Sequence, residues 1–165
     1  MNHSRSLLLY QDEPEYGLLL KHIMVVVPGA SSIGSFLLWS SGDNVGSIIL
    51  LVEAFFVGLI FWSVFPRRYQ VYEDHIRIVL GGPFSIKIGF DNIEAIRATN
   101  RFAFSVNFVT KLAKYHVKIA RIRGMSISIT PRDNDSFVQN CSIALSEWRN
   151  RVFEESGRGP VAKRS

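Results

Sequence analysis

Two long apolar stretches in the first 65 residues constrain this chain more than any other feature. They run from about Leu18 to Trp39 and from Val45 to Phe65, and five polar or small residues at 40–44 separate them. A helix needs roughly 20 apolar residues to cross the hydrocarbon core of a bilayer. Each stretch is long enough, so we expect a transmembrane helical hairpin over residues 18–65, with spans at 18–39 and 45–65.

The charges around the hairpin predict its direction in the membrane. The connector 40–44 contains no Lys or Arg, whereas Arg67, Arg68 and Arg77 follow the second stretch closely. The positive-inside rule therefore places the connector outside and both termini in the cytoplasm. The acidic segment 12–15 precedes the first stretch, where a cleavable signal peptide would be basic. We therefore expect a two-pass protein of the cytoplasmic membrane.

Positive charge is concentrated after the hairpin. The residues after Phe65 carry 17 Lys/Arg against 9 Asp/Glu, or +8, and the first 65 residues carry 2 against 5, or −3. A basic domain close to a bilayer suits an anionic lipid surface, where each basic residue contributes about 1 kcal/mol. The alternative is a basic surface that faces solvent and has no partner.

Glu53 is the only ionisable residue of the second apolar stretch. Counted from the outer helix ends at 1.5 Å per residue, Glu53 lies about 12 Å deep, and Ser31 and Ser32 lie at a similar depth. One interpretation is structural: a serine hydrogen bond or a contact between copies of the chain. The other is a proton or cation site, because carboxylates inside a membrane are costly and often functional.

The pattern after Phe65 alternates with a period of two. Ile76, Ile78 and Leu80 alternate first, and the next run, Phe84–Phe90, carries apolar residues at every second position. Glycine, proline and aspartate separate the runs, as is typical of an antiparallel meander.

Residues 1–17 are expected to form a cytoplasmic N-terminal segment.

The period changes to 3.6 residues after Thr130–Asp133, a segment that has the proline and capping residues of a helix start. An apolar stripe follows at helical spacing: Phe137, Cys141, Ala144, Leu145, Trp148 and Val152. We therefore expect an antiparallel β domain over 66–154 that ends in an α-helix. Residues 155–165 would form a flexible basic tail.

The segment 101–110 has two interpretations. It is either a strand with a buried face or a loop that dips its phenylalanines into the membrane interface beside basic residues. The predicted lipid-surface residues are Arg67, Arg68, Arg97, Arg101, Lys111 and Lys114.

The hairpin is followed by a set of short motifs: Pro-Arg-Arg-Tyr at 66–69, Ile-Arg-Ile-Val-Leu-Gly-Gly-Pro-Phe at 76–84, the turn Phe90–Glu94, and Ile-Thr-Pro-Arg-Asp at 129–133. Together these features resemble the bacterial PH-domain family of small two-pass membrane proteins. The resemblance implies a PH-like fold, in which two packed antiparallel sheets are closed at one end by the C-terminal helix. It implies little about activity.

The chain carries no nucleophile motif, phosphate loop or HExxH spacing, and no nucleic-acid motif. We therefore expect a non-enzymatic protein that uses no cofactor, no metal and no nucleic acid. The leading hypothesis is a scaffold or adaptor at the cytoplasmic membrane face that binds a protein partner or anionic lipid head groups. The alternative is a subunit of a channel, transporter or envelope-assembly complex that uses Glu53 and helix packing. A protein partner or a homo-oligomer is expected in either case.

Overall fold

The structure, a computed structural model, describes residues 6–100, 105–108 (backbone alone) and 115–157. Its elements in chain order are β1 (Leu8–Asp12), α1 (Leu18–Ser40), α2 (Asn44–Val64), β2 (Pro66–Tyr72), β3 (His75–Leu80), β4 (Ser85–Gly89), β5 (Ile93–Thr99), β6 (Ser105–Phe108), β7 (His116–Arg121), β8 (Ser126–Ile129) and α3 (Asn134–Gly157). A short 3-10 turn, Phe90–Asn92, joins β4 to β5.

Helices α1 and α2 form an antiparallel hairpin. Asp43 caps α2 by accepting a hydrogen bond from the backbone N–H of Gly46 at 2.9 Å. The buried hydroxyl of Ser35 donates to the carbonyl oxygen of Ser47 at 2.8 Å. Most other side chains of both helices face outward and are apolar. Both helices are long and apolar enough to cross a membrane, which indicates a two-pass membrane protein.

The first sheet has the order β1-β2-β3-β4, and all its pairings are antiparallel. Strand β1 comes from the segment before the hairpin, which the sequence analysis treated only as a cytoplasmic segment. The chain between β1 and α1 also pairs with the segment that joins β8 to α3. The N–H of Glu15 donates to the carbonyl of Thr130, and the N–H of Arg132 donates to the carbonyl of Glu13. Residues on both sides of the hairpin therefore build one domain.

The second sheet has the order β5-β7-β8-β6. Its β5-β7 and β7-β8 pairings are antiparallel, and β6 is added in parallel to β8 at one edge. The sequence left two interpretations for residues 101–110, a strand or a membrane-dipping loop. The structure describes Ser105–Phe108 of this segment, and those residues form a strand. The remaining residues of that segment lie outside the described ranges.

Helix α3 packs one face on the sheets. Its residues Phe137, Cys141, Ala144 and Leu145 are buried, and Trp148 packs against the same core. The stripe ends there, since Val152 is 43% exposed. The predicted fold class is confirmed: an α+β protein with an apolar helical hairpin, two packed sheets and a C-terminal helix.

Aromatic contacts at the centre of the core join α3 to the first sheet. The Phe137 ring of α3 contacts the Tyr10 ring of β1 at 6.2 Å and the Tyr69 ring of β2 at 6.1 Å, both edge to face. Cys141 lies one turn further along α3 and is fully buried, which raises the pKa of its thiol. This cysteine is therefore a core residue that stays protonated at neutral pH.

Candidate functional site

A cleft of about 1050 Å³ lies where the hairpin meets the domain. Its walls come from the segment that precedes α1, the neighbouring ends of α1 and α2, strands β2 and β3 with the turn after β3, and Arg132 between β8 and α3. We call it the junction cleft. Its basic lining residues are Lys21, Arg67, Arg68, Arg77 and Arg132.

The junction cleft is strongly basic. Its five cations are all exposed, and they face two acidic lining residues, Glu13 and Glu15, so the formal charge of the lining is 5 − 2 = +3. Arginine forms paired hydrogen bonds with phosphate and carboxylate oxygens. Among the described residues, no group of three or more His, Cys, Asp or Glu could hold a metal ion. The lining is therefore suited to an anion.

Strand pairing aims the arginines of β2 and β3 into this cleft. Tyr69 and Val71 of β2 are fully buried, so the alternation of side chains turns Arg68 and Gln70 to the outer face. Arg77 of β3 lies directly opposite Gln70 and shares that face.

Arg67 joins the group because the pairing of β2 with β3 shifts between Pro66 and Arg68. Such a bulge inserts one extra residue and interrupts the alternation. Arg67 and Arg68 are consequently both exposed, although they are neighbours in a strand.

Tyr16 fixes the chain as it enters α1. Its hydroxyl donates a hydrogen bond to the carbonyl of Pro66, and its ring contacts that of Phe65 at 6.4 Å. Burial raises the pKa of Tyr16, although the nearby Arg67 charge acts in the opposite direction. The phenol therefore stays protonated at neutral pH and keeps β2 close to the start of the hairpin.

The turn between β3 and β4 rests directly on α2. A Cβ atom built on Gly81 would lie 1.4 Å from the carbonyl oxygen of Trp62, so only glycine fits at this position. Gly82 has φ +67°, and a Cβ there would meet the Trp62 ring at 2.9 Å. These contacts leave no space between the turn and the helix.

The cleft is positioned at the ends of the apolar helices. Lys21 is three residues inside α1 and Trp62 is two residues before the end of α2. At 1.5 Å per residue, these side chains start about 4.5 Å and 3 Å from the helix ends. One wall of the cleft thus belongs to the apolar hairpin and the other to the domain.

The structure separates the predicted lipid-surface residues. Arg67 and Arg68 line the junction cleft, whereas Arg97 lies on β5 opposite Lys118, in the second sheet. Arg101, Lys111 and Lys114 lie outside the described residues.

Sequence reasoning did not group Lys21, Arg77 and Arg132 with the two arginines of β2. Arg132 reaches the cleft through an isolated antiparallel bridge between Pro14 and Pro131. The sequence carried one signal that Lys21 and Arg77 belong to the cleft, which is their position close to the ends of the apolar stretches.

The predicted intramembrane residues are not brought together within one chain. Glu53 is exposed on α2, and Ser32 donates its hydroxyl to the carbonyl of Pro28 in its own helix at 2.7 Å. Ser31 is half-buried. Within the described part of the chain, no hydrogen bond joins Glu53 to either serine. The two helices of the hairpin are instead joined by a contact between the hydroxyl groups of Ser35 and Ser47.

One comparison with known proteins found a family that part of this chain resembles. Residues 67–141 match the family model described as bacterial PH domain, a match that runs from β2 into α3. The comparisons with curated proteins and with solved structures found no match. PH domains are generally non-enzymatic, and the two packed sheets and closing helix agree with this family.

Proposed function

We propose that this chain is a non-enzymatic membrane adaptor whose junction cleft binds anionic lipid head groups. The proposal takes as its premise that residues 67–141 form a bacterial PH domain. One observation carries the proposal: five basic side chains surround a cleft with one wall at the ends of two apolar helices. A phosphate that enters this cleft would belong to a lipid already in the bilayer.

Electrostatics supports this function. Basic residues at an anionic membrane surface contribute about 1 kcal/mol each, within a Debye length of roughly 8 Å at physiological salt. In the proposed topology the connector at 40–44 faces outward and the domain lies at the cytoplasmic leaflet, where anionic lipids supply the phosphates. The lipid would orient the domain, and the rest of its surface would be available to a protein partner.

The variant Arg67→Gln/Arg68→Gln tests the cleft. The full chain is reconstituted in nanodiscs, and spin-labelled phosphatidylglycerol is compared with spin-labelled phosphatidylcholine for the fraction immobilised at the protein. We expect the preference for the anionic lipid to fall by up to about 30-fold, since two basic residues together contribute about 2 kcal/mol. The preference of the unsubstituted protein should also weaken as salt is raised.

The control is Arg97→Gln/Arg123→Gln, which removes the same charge from two exposed residues outside the cleft. We expect it to retain most of the preference, and it also tests the prediction that Arg97 takes part in lipid binding. An equal loss in both double variants would contradict a localised site.

The exposed Glu53 favours a second candidate function, a subunit of a larger channel, transporter or envelope-assembly complex. An acidic residue at the centre of a membrane helix costs roughly 2.5–3.5 kcal/mol by insertion measurements. Another helix that supplied a hydrogen-bond donor would remove part of that cost. The two described helices of one chain do not enclose a pore, so such a function requires assembly.

Glu53→Leu and Glu53→Gln distinguish this second function from simple anchoring. In an assembly, Glu53→Leu should reduce crosslinked oligomers in native membranes several-fold, whereas Glu53→Gln should retain them because an amide still forms hydrogen bonds. Ion flux into liposomes is measured in parallel. Unchanged oligomers and unchanged flux in both variants would eliminate this candidate.

A further inference from the structure

Phe84 is an apolar side chain that continues the core face of β4 beyond the core. Alternate residues of the segment 84–90 share one face, and their burial decreases from Phe90 back to Phe84. Phe90 and Ile88 are buried, Ile86 is partly buried, and Phe84 is 56% exposed. The apolar face therefore leaves the domain at the end of the sheet where Phe84 lies.

The strand register places Phe84 close to the point where α2 joins the sheet. Pro66, two residues after the end of α2, pairs with Leu80, whose N–H donates to the carbonyl of Phe84 at 3.0 Å. Neighbouring strands are about 4.8 Å apart, so Phe84 lies roughly 10 Å to the side of Pro66, at the same position along the strands. Because Pro66 follows two residues after α2, Phe84 lies at the end of the sheet where α2 joins it.

The turn that carries Phe84 is held in this position. Gly81 and Gly82 lie in direct contact with the backbone and ring of Trp62, a residue inside α2. The turn therefore has no space to move toward the hairpin, and Phe84 remains on the side of the domain where the apolar helices emerge.

We infer that the tip of this turn, Pro83 and Phe84, inserts into the interfacial layer of the bilayer that the hairpin spans. The inference rests on the two-pass topology of the proposed function and does not require the cleft to bind lipid. The ring of Phe84 then lies at the boundary between the lipid head groups and the acyl chains. Burial of the ring there replaces the packing that the end of the core does not provide. The turn then acts as a second contact that limits rocking of the domain about the hairpin.

Spin labels at three substituted positions in the full chain test the insertion. Phe84→Cys reports on the turn, and Leu51→Cys on the exposed surface of α2 is the membrane reference. Ile122→Cys is the matched control, because Ile122 is also apolar and exposed. The N–H of Ile122 donates to the carbonyl of Asn92, two residues after Phe90, whose own N–H donates to the carbonyl of Asp74. Asp74 lies in the turn that follows β2, and β2 extends about 20 Å from Pro66 to that turn. Buried Cys141 is not expected to react, and the unsubstituted chain measures any background.

Each labelled protein is reconstituted in liposomes, and its accessibility to oxygen is compared with its accessibility to a water-soluble nickel chelate. We expect an oxygen-to-nickel ratio at position 84 several-fold above that at position 122 and close to that at position 51. Equal ratios at 84 and 122, with a lipid-like ratio at 51, would overturn the insertion and leave the proposed function intact. A water-like ratio at 51 would overturn the membrane topology and with it the inference.

Discussion

Gly81→Ala is expected to separate the β3–β4 turn from α2 and to destabilise the domain by about 3 kcal/mol, at the upper end of the usual range for overpacking. The new Cβ would lie 1.4 Å from the carbonyl oxygen of Trp62 and 2.5 Å from its carbonyl carbon. Both are backbone atoms of a helix, so no side-chain rotation relieves the overlap. The turn or the end of α2 must move, and the junction cleft opens with it.

Denaturant unfolding of the full chain in nanodiscs, followed by tryptophan fluorescence, measures this loss of stability. Gly58→Ala is the matched control, because Gly58 lies in the same helix as Trp62 and nothing is within 4 Å of its Cβ position. We expect the control to stay within about 0.5 kcal/mol of the unsubstituted protein. A normal unfolding midpoint and an unchanged lipid preference in Gly81→Ala would show that the turn does not rest on α2.

Local periodicity accounts for the part of the fold that was predictable. Two apolar stretches of membrane length predicted α1 and α2, whose bounds lie within one residue of those stretches. Alternation predicted β3 and β4, and helical spacing predicted the stripe of α3 as far as Trp148. In each case the signal lies in consecutive residues, since the period of a single element determines which face it buries.

Strand β1 could not be predicted in this way because its partner is distant in the chain. The run Leu7–Tyr10 shows no alternation, and the whole hairpin separates it from β2. The cleft depends on the same long-range pairing, since the segment after β1 contacts the connection between β8 and α3 and thereby places Arg132 in the same cleft as Arg67. Periodicity also assigned Phe84 to a face correctly but contained no information about where the core ends.

Phe137→Ala is the second substitution for which we expect a large effect. The ring is fully buried and contacts Tyr10 on one side of the hairpin and Tyr69 on the other. Truncation of a buried phenylalanine typically costs 3–5 kcal/mol. Because natural domains are stable by only about 5–15 kcal/mol, this loss should lower the unfolding midpoint strongly. Phe153→Ala is the control, since Phe153 lies on the same helix and is 79% exposed.

The same variant tests whether the segment before the hairpin belongs to the folding unit of the domain. Strand β1 lies at the edge of the first sheet, and Tyr10 is held there partly by the Phe137 ring. Hydrogen exchange over Leu8–Asp12 should therefore accelerate in Phe137→Ala together with exchange in β2 and β7, and should stay normal in Phe153→Ala. If β1 instead exchanged rapidly in the unsubstituted protein, or kept its protection while β2 lost it, the domain would fold without β1. The arrangement at the junction cleft would then not depend on that strand.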